Sequence, residues 1–98
     1  MITVSVTGDG AIAGESFTLE CGVSGAERLE GNITYVWTRE NTSLEGETNR
    51  IYTFTPTAGD HGVVYHCAAT VTSNLLVAPI TSNGSKTISV LGEQYSYI

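Results

Sequence analysis

Two cysteines set within alternating apolar and polar residues constrain the fold of this chain more than any other feature. Side chains at every second position of a β-strand lie on one face, so each cysteine shares a face with apolar neighbours. These neighbours are Phe17, Leu19 and Val23 around Cys21, and Tyr65, Ala69 and Val71 around Cys67. Two cysteines in a small domain are either free thiols or one disulfide, and the core-facing position of both favours the disulfide. We therefore expect the domain in an oxidising compartment.

The same alternation recurs along the chain and predicts an all-β fold. Strands are predicted at residues 2–7, 16–23, 33–38, 52–55, 63–72 and 87–91. Residues 40–49 are predicted as a loop or one irregular edge strand, and residues 73–84 as a long hairpin loop. No window has the apolar period near 3.6 that marks an amphipathic helix.

The length of 98 residues suits one domain with a single core between two layers. We expect that domain to span residues 1–91, and residues 92–98 to form a linker or a frayed tail. Charged residues make up only 14% of the chain, while Gly, Ser and Thr are abundant, which favours short strands and tight turns.

The distribution of charge argues against two classes of partner. The net charge is −6, and the four basic residues, Arg28, Arg39, Arg50 and Lys86, are scattered along the chain. Nucleic acids and anionic lipid surfaces are bound by clustered Lys and Arg, so neither is expected as a partner. No apolar run approaches the roughly 20 residues that a membrane helix requires, and no charged-then-apolar leader opens the chain. Direct membrane insertion by this segment is therefore not expected.

The spacing of a tryptophan and a tyrosine relative to the cysteines produces a resemblance to a known family. The residues that carry it are Cys21, Trp37, Asp60, Gly62, Tyr65 and Cys67; the second cysteine lies 46 positions after the first, and Trp37 lies 16 positions after the first. As a combined pattern they resemble the signature of immunoglobulin-superfamily domains. The resemblance implies a two-sheet antiparallel sandwich with one inter-sheet disulfide between Cys21 and Cys67. Trp37 would seal this bond, and the Tyr65 hydroxyl would cap upstream backbone.

Two further features refine the expected fold. The 30 residues from Trp37 to Cys67 are too few for the two extra strands of a variable domain, so the C2 or I set is favoured over the V set. Asp60 and Gly62 lie seven and five residues before Cys67, whereas the family usually has them at six and four. This displacement predicts a bulged corner and weighs against the family's salt bridge from this Asp to an upstream arginine, for which Arg50 is the candidate.

Three asparagines fit the acceptor pattern for N-glycosylation, in which a hydroxyl residue follows two positions later. They are Asn32, Asn41 and Asn83. All three are predicted at loops or strand ends, which favours their glycosylation if the protein is secreted.

Enzymatic and metal-binding arrangements are not indicated. His61 and His66 differ by an odd number of positions, so they would face opposite ways on one strand, and no zinc spacing is present. No serine stands in a nucleophile elbow. The acidic pairs that could hold calcium, Glu27 with Glu30 and Glu45 with Glu47, lack the dense ligand loop of such sites and are interpreted as solvated. No cofactor, metal or catalytic residue is predicted.

The predicted loop before the last strand is unusually apolar. It contains Leu75, Leu76, Val77 and Ile80, whereas loops usually face water. The loop either extends the two strands into a long hairpin, folds over the edge of the core, or presents a contact surface. The first two outcomes together are favoured, and these four residues remain candidate contact residues.

The resemblance implies an extracellular recognition module of a cell-surface receptor or a secreted protein, similar to ectodomain repeats of invertebrate receptor tyrosine kinases and adhesion molecules. Its partner would be a protein ligand or another immunoglobulin domain, with a homodimer as one possibility. The alternatives are a homophilic adhesion domain and a passive spacer. Any enzymatic activity, such as a kinase, would lie elsewhere in the full protein.

Overall fold

The computed structural model describes residues 2–26, 29 and 31–91, and the regular elements in this part are strands and one 3₁₀ turn. The strands are β1 (Thr3–Thr7), β2 (Ala11–Ile12), β3 (Phe17–Ser24), β4 (Gly31–Arg39), β5 (Thr42–Ser43), β6 (Ile51–Phe54), β7 (Val64–Ser73), β8 (Ile80–Thr87) and β9 (Val90–Leu91). The 3₁₀ turn spans Ala58–Asp60, between β6 and β7. The predicted all-β class is therefore confirmed. The tail predicted at residues 92–98 lies outside the described residues.

The strands form two antiparallel sheets and a short parallel pair. One sheet has the order β1-β3-β6, and the other has the order β5-β4-β7-β8. Strand β2 pairs in parallel with β9, Ala11 opposite Val90. Between β5 and β6 the chain makes only turns and bends in residues 44–50, so the short C2-like or I-like arrangement fits the structure better than the variable arrangement.

The core lies between the two sheets, at the positions that the alternation predicts. In β3 and β7 the buried residues are Phe17, Leu19, Cys21, Tyr65, Cys67, Ala69 and Val71. Tyr52 and Phe54 of β6 face the same interior, and their rings stack with centroids 4.9 Å apart. Aromatic pairs at such distances add to the hydrophobic stabilisation of the core.

The hairpin between β7 and β8 differs from the sequence prediction. We expected a loop over residues 73–84, but β8 already begins at Ile80, which pairs with Val71, and the turn is confined to residues 74–79. The prediction was wrong because the inward positions of β8 after Ile80 are Ser82, Gly84 and Lys86, which give no apolar alternation. Paired backbone hydrogen bonds along β7 hold this polar strand in place.

Strand β1 of one sheet crosses close to β8 of the other. The Ser82 hydroxyl donates a hydrogen bond to the Ile2 carbonyl at 3.0 Å. A β-carbon built on Gly84 would lie 2.6 Å from the Val4 carbonyl oxygen. Because only a residue without a side chain fits at that distance, Gly84 permits the two sheets to meet at this edge.

Candidate functional site

The disulfide joins the two sheets at the centre of the core. Cys21 of β3 and Cys67 of β7 have Cα atoms 6.2 Å apart, within the ordinary range for a disulfide. Trp37 pairs with Cys67 across the sheet and is fully buried. Its indole N–H donates to the Asn49 carbonyl at 2.8 Å. The tryptophan therefore also anchors the loop that leads into β6.

A salt bridge closes the corner before β7, and its partner differs from the expected one. The Arg39 guanidinium donates to Asp60 Oδ1 from Nη2 at 2.6 Å and from Nε at 3.2 Å. Arg50 instead pairs with Glu20 on the solvent side of the other sheet. Arg39 was the better placed arginine because β4 sets it directly opposite Tyr65, next to the corner. Asp60 therefore still forms an ion pair with an upstream arginine, but the partner is Arg39 of β4 and not Arg50.

The environment of Asp60 stabilises its charged form. Burial disfavours the carboxylate, but the backbone N–H of Thr57 donates to Oδ2 at 2.8 Å and Arg39 binds Oδ1. These hydrogen bonds outweigh desolvation and hold the pKa of Asp60 below its ordinary value. Asp60 thus links the start of the 3₁₀ turn to the end of β4 through one charged group.

Tyr65 also borders this ion pair. Burial raises the pKa of its phenol, and the neighbouring Arg39 guanidinium opposes that rise. Burial likewise raises the pKa of Tyr52, whose ring centroid lies 6.1 Å from that of Tyr65. Both phenols are therefore held in their neutral form within the core. They act as packing groups with a polar tip, rather than as acids near neutral pH.

The two histidines occupy separate sites. His61 lies in the turn after the 3₁₀ segment, and its Nδ1 accepts a hydrogen bond from the backbone N–H of Val90 at 3.1 Å. His66 lies on β7, opposite Thr38 and Ser85, on the solvent side of the sheet. Nothing in the sequence indicated the contact between His61 and β9. Within the described residues, no three His, Cys, Asp or Glu side chains come together as a metal site would require.

The acidic pairs are only partly covered by the structure. Glu27 and Glu30 lie outside the described residues. Glu45 is exposed and Glu47 is half-buried, and both belong to the turns between β5 and β6.

The three acceptor asparagines are exposed, but two of them lie within strands. Asn41 is in the turn before β5, Asn32 is the second residue of β4, and Asn83 lies in the middle of β8. The expectation that Asn83 stands in a loop was therefore wrong, for the same reason that β8 was missed. Asn32 and Asn83 both project from the solvent side of the four-stranded sheet, since Trp37 and Gly84 project from its inner side.

The hairpin tip exposes aliphatic side chains. Leu75 is 67% exposed and Val77 is completely exposed, whereas Leu76 is half-buried. The turn is tight, because the Leu75 N–H binds the Ser73 hydroxyl and the Leu76 N–H binds the Ser73 carbonyl, each at 3.1 Å. Strands β7 and β8 thus extend into a long hairpin, which was one of the two outcomes that the sequence favoured for this loop. Folding of Leu75 and Val77 over the core edge is contradicted.

A disulfide-linked sandwich with a buried tryptophan and a closed corner defines the class of this protein. The family model of the immunoglobulin domain matches residues 1–88, and the chain belongs to that family. The family is generally non-enzymatic, and a disulfide-bonded immunoglobulin domain suggests an extracellular setting. Within the described part of the chain, no helix is both long and apolar enough to span a membrane.

A solved structure of low sequence identity shows the same fold. The three N-terminal domains of the highly immunogenic outer capsid protein (Hoc) of bacteriophage RB49 are 24% identical, with a TM-score of 0.72 over 93% of this chain. The match covers 29% of that structure's chain, so this chain spans less than a third of its length. The fibronectin(III)-like modules of CbhA from Clostridium thermocellum match at 8% identity and a TM-score of 0.44, over 93% of this chain and 99% of theirs. No curated protein matches the chain.

Proposed function

We propose that this domain is an extracellular, non-enzymatic recognition module that binds a protein partner through the tip of the β7–β8 hairpin. The tip consists of residues 74–79 together with Ile80 at the start of β8. Exposed aliphatic side chains on a rigid scaffold are typical of protein contact sites, since their burial against a partner removes apolar surface from water.

The observation that carries this proposal is the exposure of Leu75 and Val77. Both side chains belong to the turn, and the turn is held in place by hydrogen bonds to Ser73. A partner would therefore meet a preformed apolar surface and would not have to order a mobile loop. Preorganisation of this kind lowers the entropy cost of binding.

The setting that we favour is the ectodomain of a cell-surface receptor or a secreted protein, with a protein ligand or another immunoglobulin domain as the partner. The outer capsid protein of bacteriophage RB49 illustrates a second setting, in which domains of this fold are displayed on a particle. The disulfide supports display outside a reducing cytosol in either case.

The test is site-specific photo-crosslinking from the hairpin tip. A photoreactive residue at position 75 or 77 is presented to the intact surface of the source cells or particles, and crosslinked proteins are identified by mass spectrometry. Leu75→Asp and Val77→Asp, as competitors without the photoreactive group, should fail to suppress the crosslink that the wild-type domain suppresses. Each aspartate places a charge in the proposed apolar contact.

A matched control is Leu91→Asp, which changes an exposed leucine of β9, in a different part of the sandwich. This variant should compete as well as the wild-type domain. All three variants should keep the wild-type melting temperature, because the substituted side chains lie outside the core. Equal competition by the hairpin variants and the wild type would contradict a contact at the tip, and the absence of any specific crosslink would favour a passive spacer.

A further inference from the structure

A single side chain ties the last described strand, β9, to the corner before β7. The backbone N–H of Val90 donates to His61 Nδ1 at 3.1 Å. Just before β9, backbone bonds hold the chain to the same corner, from the Gly62 N–H to the Ile88 carbonyl at 2.9 Å and from the Ile88 N–H to the Val63 carbonyl at 3.1 Å. Among the described residues, the His61 bond is therefore the one hydrogen bond from the corner to β9 itself.

The opposite edge of β9 has only a short partner strand. It pairs in parallel with β2 over two residues of each strand, and the Ala13 N–H donates to the Leu91 carbonyl at 2.8 Å. The Val90 side chain is buried, whereas that of Leu91 is 60% exposed. Because so short a pair supplies few hydrogen bonds, loss of the His61 bond would loosen the backbone of β9, while the buried Val90 side chain keeps the strand near the core.

Protonation of His61 is incompatible with this hydrogen bond. Nδ1 accepts a hydrogen bond only in the neutral imidazole that carries its proton on Nε2. In the imidazolium both ring nitrogens carry a hydrogen, so Nδ1 and the Val90 backbone would present two N–H groups to each other. Histidine is the side chain whose charge ordinarily changes between about pH 5 and 8. The bond from Val90 therefore exists only while His61 is neutral.

The charged and titratable side chains around this corner have other described partners or face solvent. The Asp60 carboxylate binds Arg39 and the Thr57 N–H, and Tyr65 borders that ion pair. The remaining charged groups of the neighbouring elements are Glu40, which binds the Val64 N–H, Lys86, which pairs with Asp9, and the exposed Glu15. Strands β2 and β9 carry no charged residue. Among the described residues, no ion pair to His61 would replace the bond that protonation breaks.

From this geometry we propose that His61 is a pH-dependent latch on β9. Neutral His61 binds the Val90 N–H and fixes β9 against the corner. Protonation in mildly acidic solution releases that N–H, loosens the pair of β2 and β9, and frees the backbone around Leu91. The disulfide and the two main sheets stay intact, because none of their contacts involves His61. The latch lies before the start of β7 and the hairpin tip lies after its end, so this proposal does not rest on the proposed contact at the tip.

The first test compares melting temperatures of the full chain at about pH 7.5 and about pH 5.5. In His61→Asn the amide Oδ1 takes the place of Nδ1 and accepts a hydrogen bond at both pH values. His66→Asn is the matched control, because it replaces the other of the two histidines. Relative to His61→Asn, the wild type and His66→Asn should lose roughly 2–8 °C as the pH falls, the size expected for one exposed hydrogen bond. The general effect of pH on an acidic chain is common to all three proteins and cancels.

The second test observes the latch in the wild-type chain by NMR and needs no variant. Long-range ¹H–¹⁵N spectra should show neutral His61 as the Nε2–H tautomer. At a pH where the imidazole resonances report the charged form, the amide protection factors of Val90 and Ala13 should fall roughly threefold or more. That of Ile88, whose N–H binds a backbone carbonyl, should not change. A neutral Nδ1–H tautomer would overturn the proposal. So would unchanged protection of Val90, or the same pH dependence of melting in His61→Asn and the wild type.

Discussion

The contact between the two sheets at Gly84 gives the most specific stability prediction. In Gly84→Ala the new β-carbon would lie 2.6 Å from the carbonyl oxygen and 2.9 Å from the carbonyl carbon of Val4. Both atoms belong to the backbone of β1, so they cannot move away by a change of rotamer. Either β1 must shift away from β8 or the sheets must separate locally.

The expected cost follows from two opposing effects. Overpacking of this kind destabilises by about 1–3 kcal/mol. Replacing glycine by alanine also restricts the unfolded chain, which stabilises by about 0.4–1 kcal/mol. The midpoints of these ranges give a net loss of about 1.3 kcal/mol for Gly84→Ala, which lowers the melting temperature by roughly 5–10 °C in a domain of this size.

Gly22→Ala is the matched control, because Gly22 and Gly84 are both strand glycines next to the disulfide. Gly22 follows Cys21 in β3, and Gly84 of β8 lies opposite Cys67 of β7. A β-carbon on Gly22 would meet only the Ser5 side chain and backbone, at 3.5 and 3.6 Å. This variant should be neutral or slightly stabilised. The assay is thermal unfolding of both variants with the disulfide intact, supported by urea titration. If Gly84→Ala melts at or above the temperature of Gly22→Ala, β1 and β8 do not meet as described.

The remaining predictions concern the disulfide and the corner. Reduction of the disulfide, whose cysteines are 46 positions apart in sequence, should lower the free energy of unfolding by about 4 kcal/mol by the chain-entropy relation. The melting temperature should fall markedly, and a thermal unfolding curve that reductant does not shift would contradict this. The pKa of Asp60 is lower in the folded protein than its ordinary value of 3.8, so the stability that the charged carboxylate contributes is fully present above pH 3.8. That contribution is lost as the pH falls through the folded-state pKa. Asp60→Asn should therefore cost about 1–3 kcal/mol at neutral pH and flatten the loss of stability below pH 3.8. Stability measured from neutral to acidic pH checks this, and parallel curves for the two proteins would contradict it.

Several parts of the fold could be predicted because they depend on local patterns. Period-2 alternation reports which face of a strand is buried, so the inward positions around Cys21 and Cys67 follow directly from the sequence. The spacing of Trp37 relative to the two cysteines produced the resemblance to the immunoglobulin family, and that resemblance implied the disulfide between the sheets. Leu75 and Val77 were recognised as unusual because apolar residues in a predicted loop stand out against their polar surroundings.

Other features could not be predicted, because they depend on which strands become neighbours. Strand β8 has small or polar residues on its inner side, and these fit there only because the backbone of β1 crosses at Gly84. The partner of Asp60 depends on the pairing that sets Arg39 opposite Tyr65, a relation between residues far apart in the chain. The hydrogen bond from Val90 to His61 likewise exists only because the chain brings β9 back to the corner.

Strand β4 shows the same division between local and tertiary information. The sequence by itself determined that residues 33–38 form an uncharged strand with high β propensity, since side-chain type and alternation are local properties. Only the tertiary structure decided that this strand pairs with β7 along its whole length on one side and, among the described residues, with β5 only at Thr38 and Arg39 on the other. The physical reason is that hydrogen bonds between strands join residues distant in sequence, and no local pattern states which edge is left without a partner.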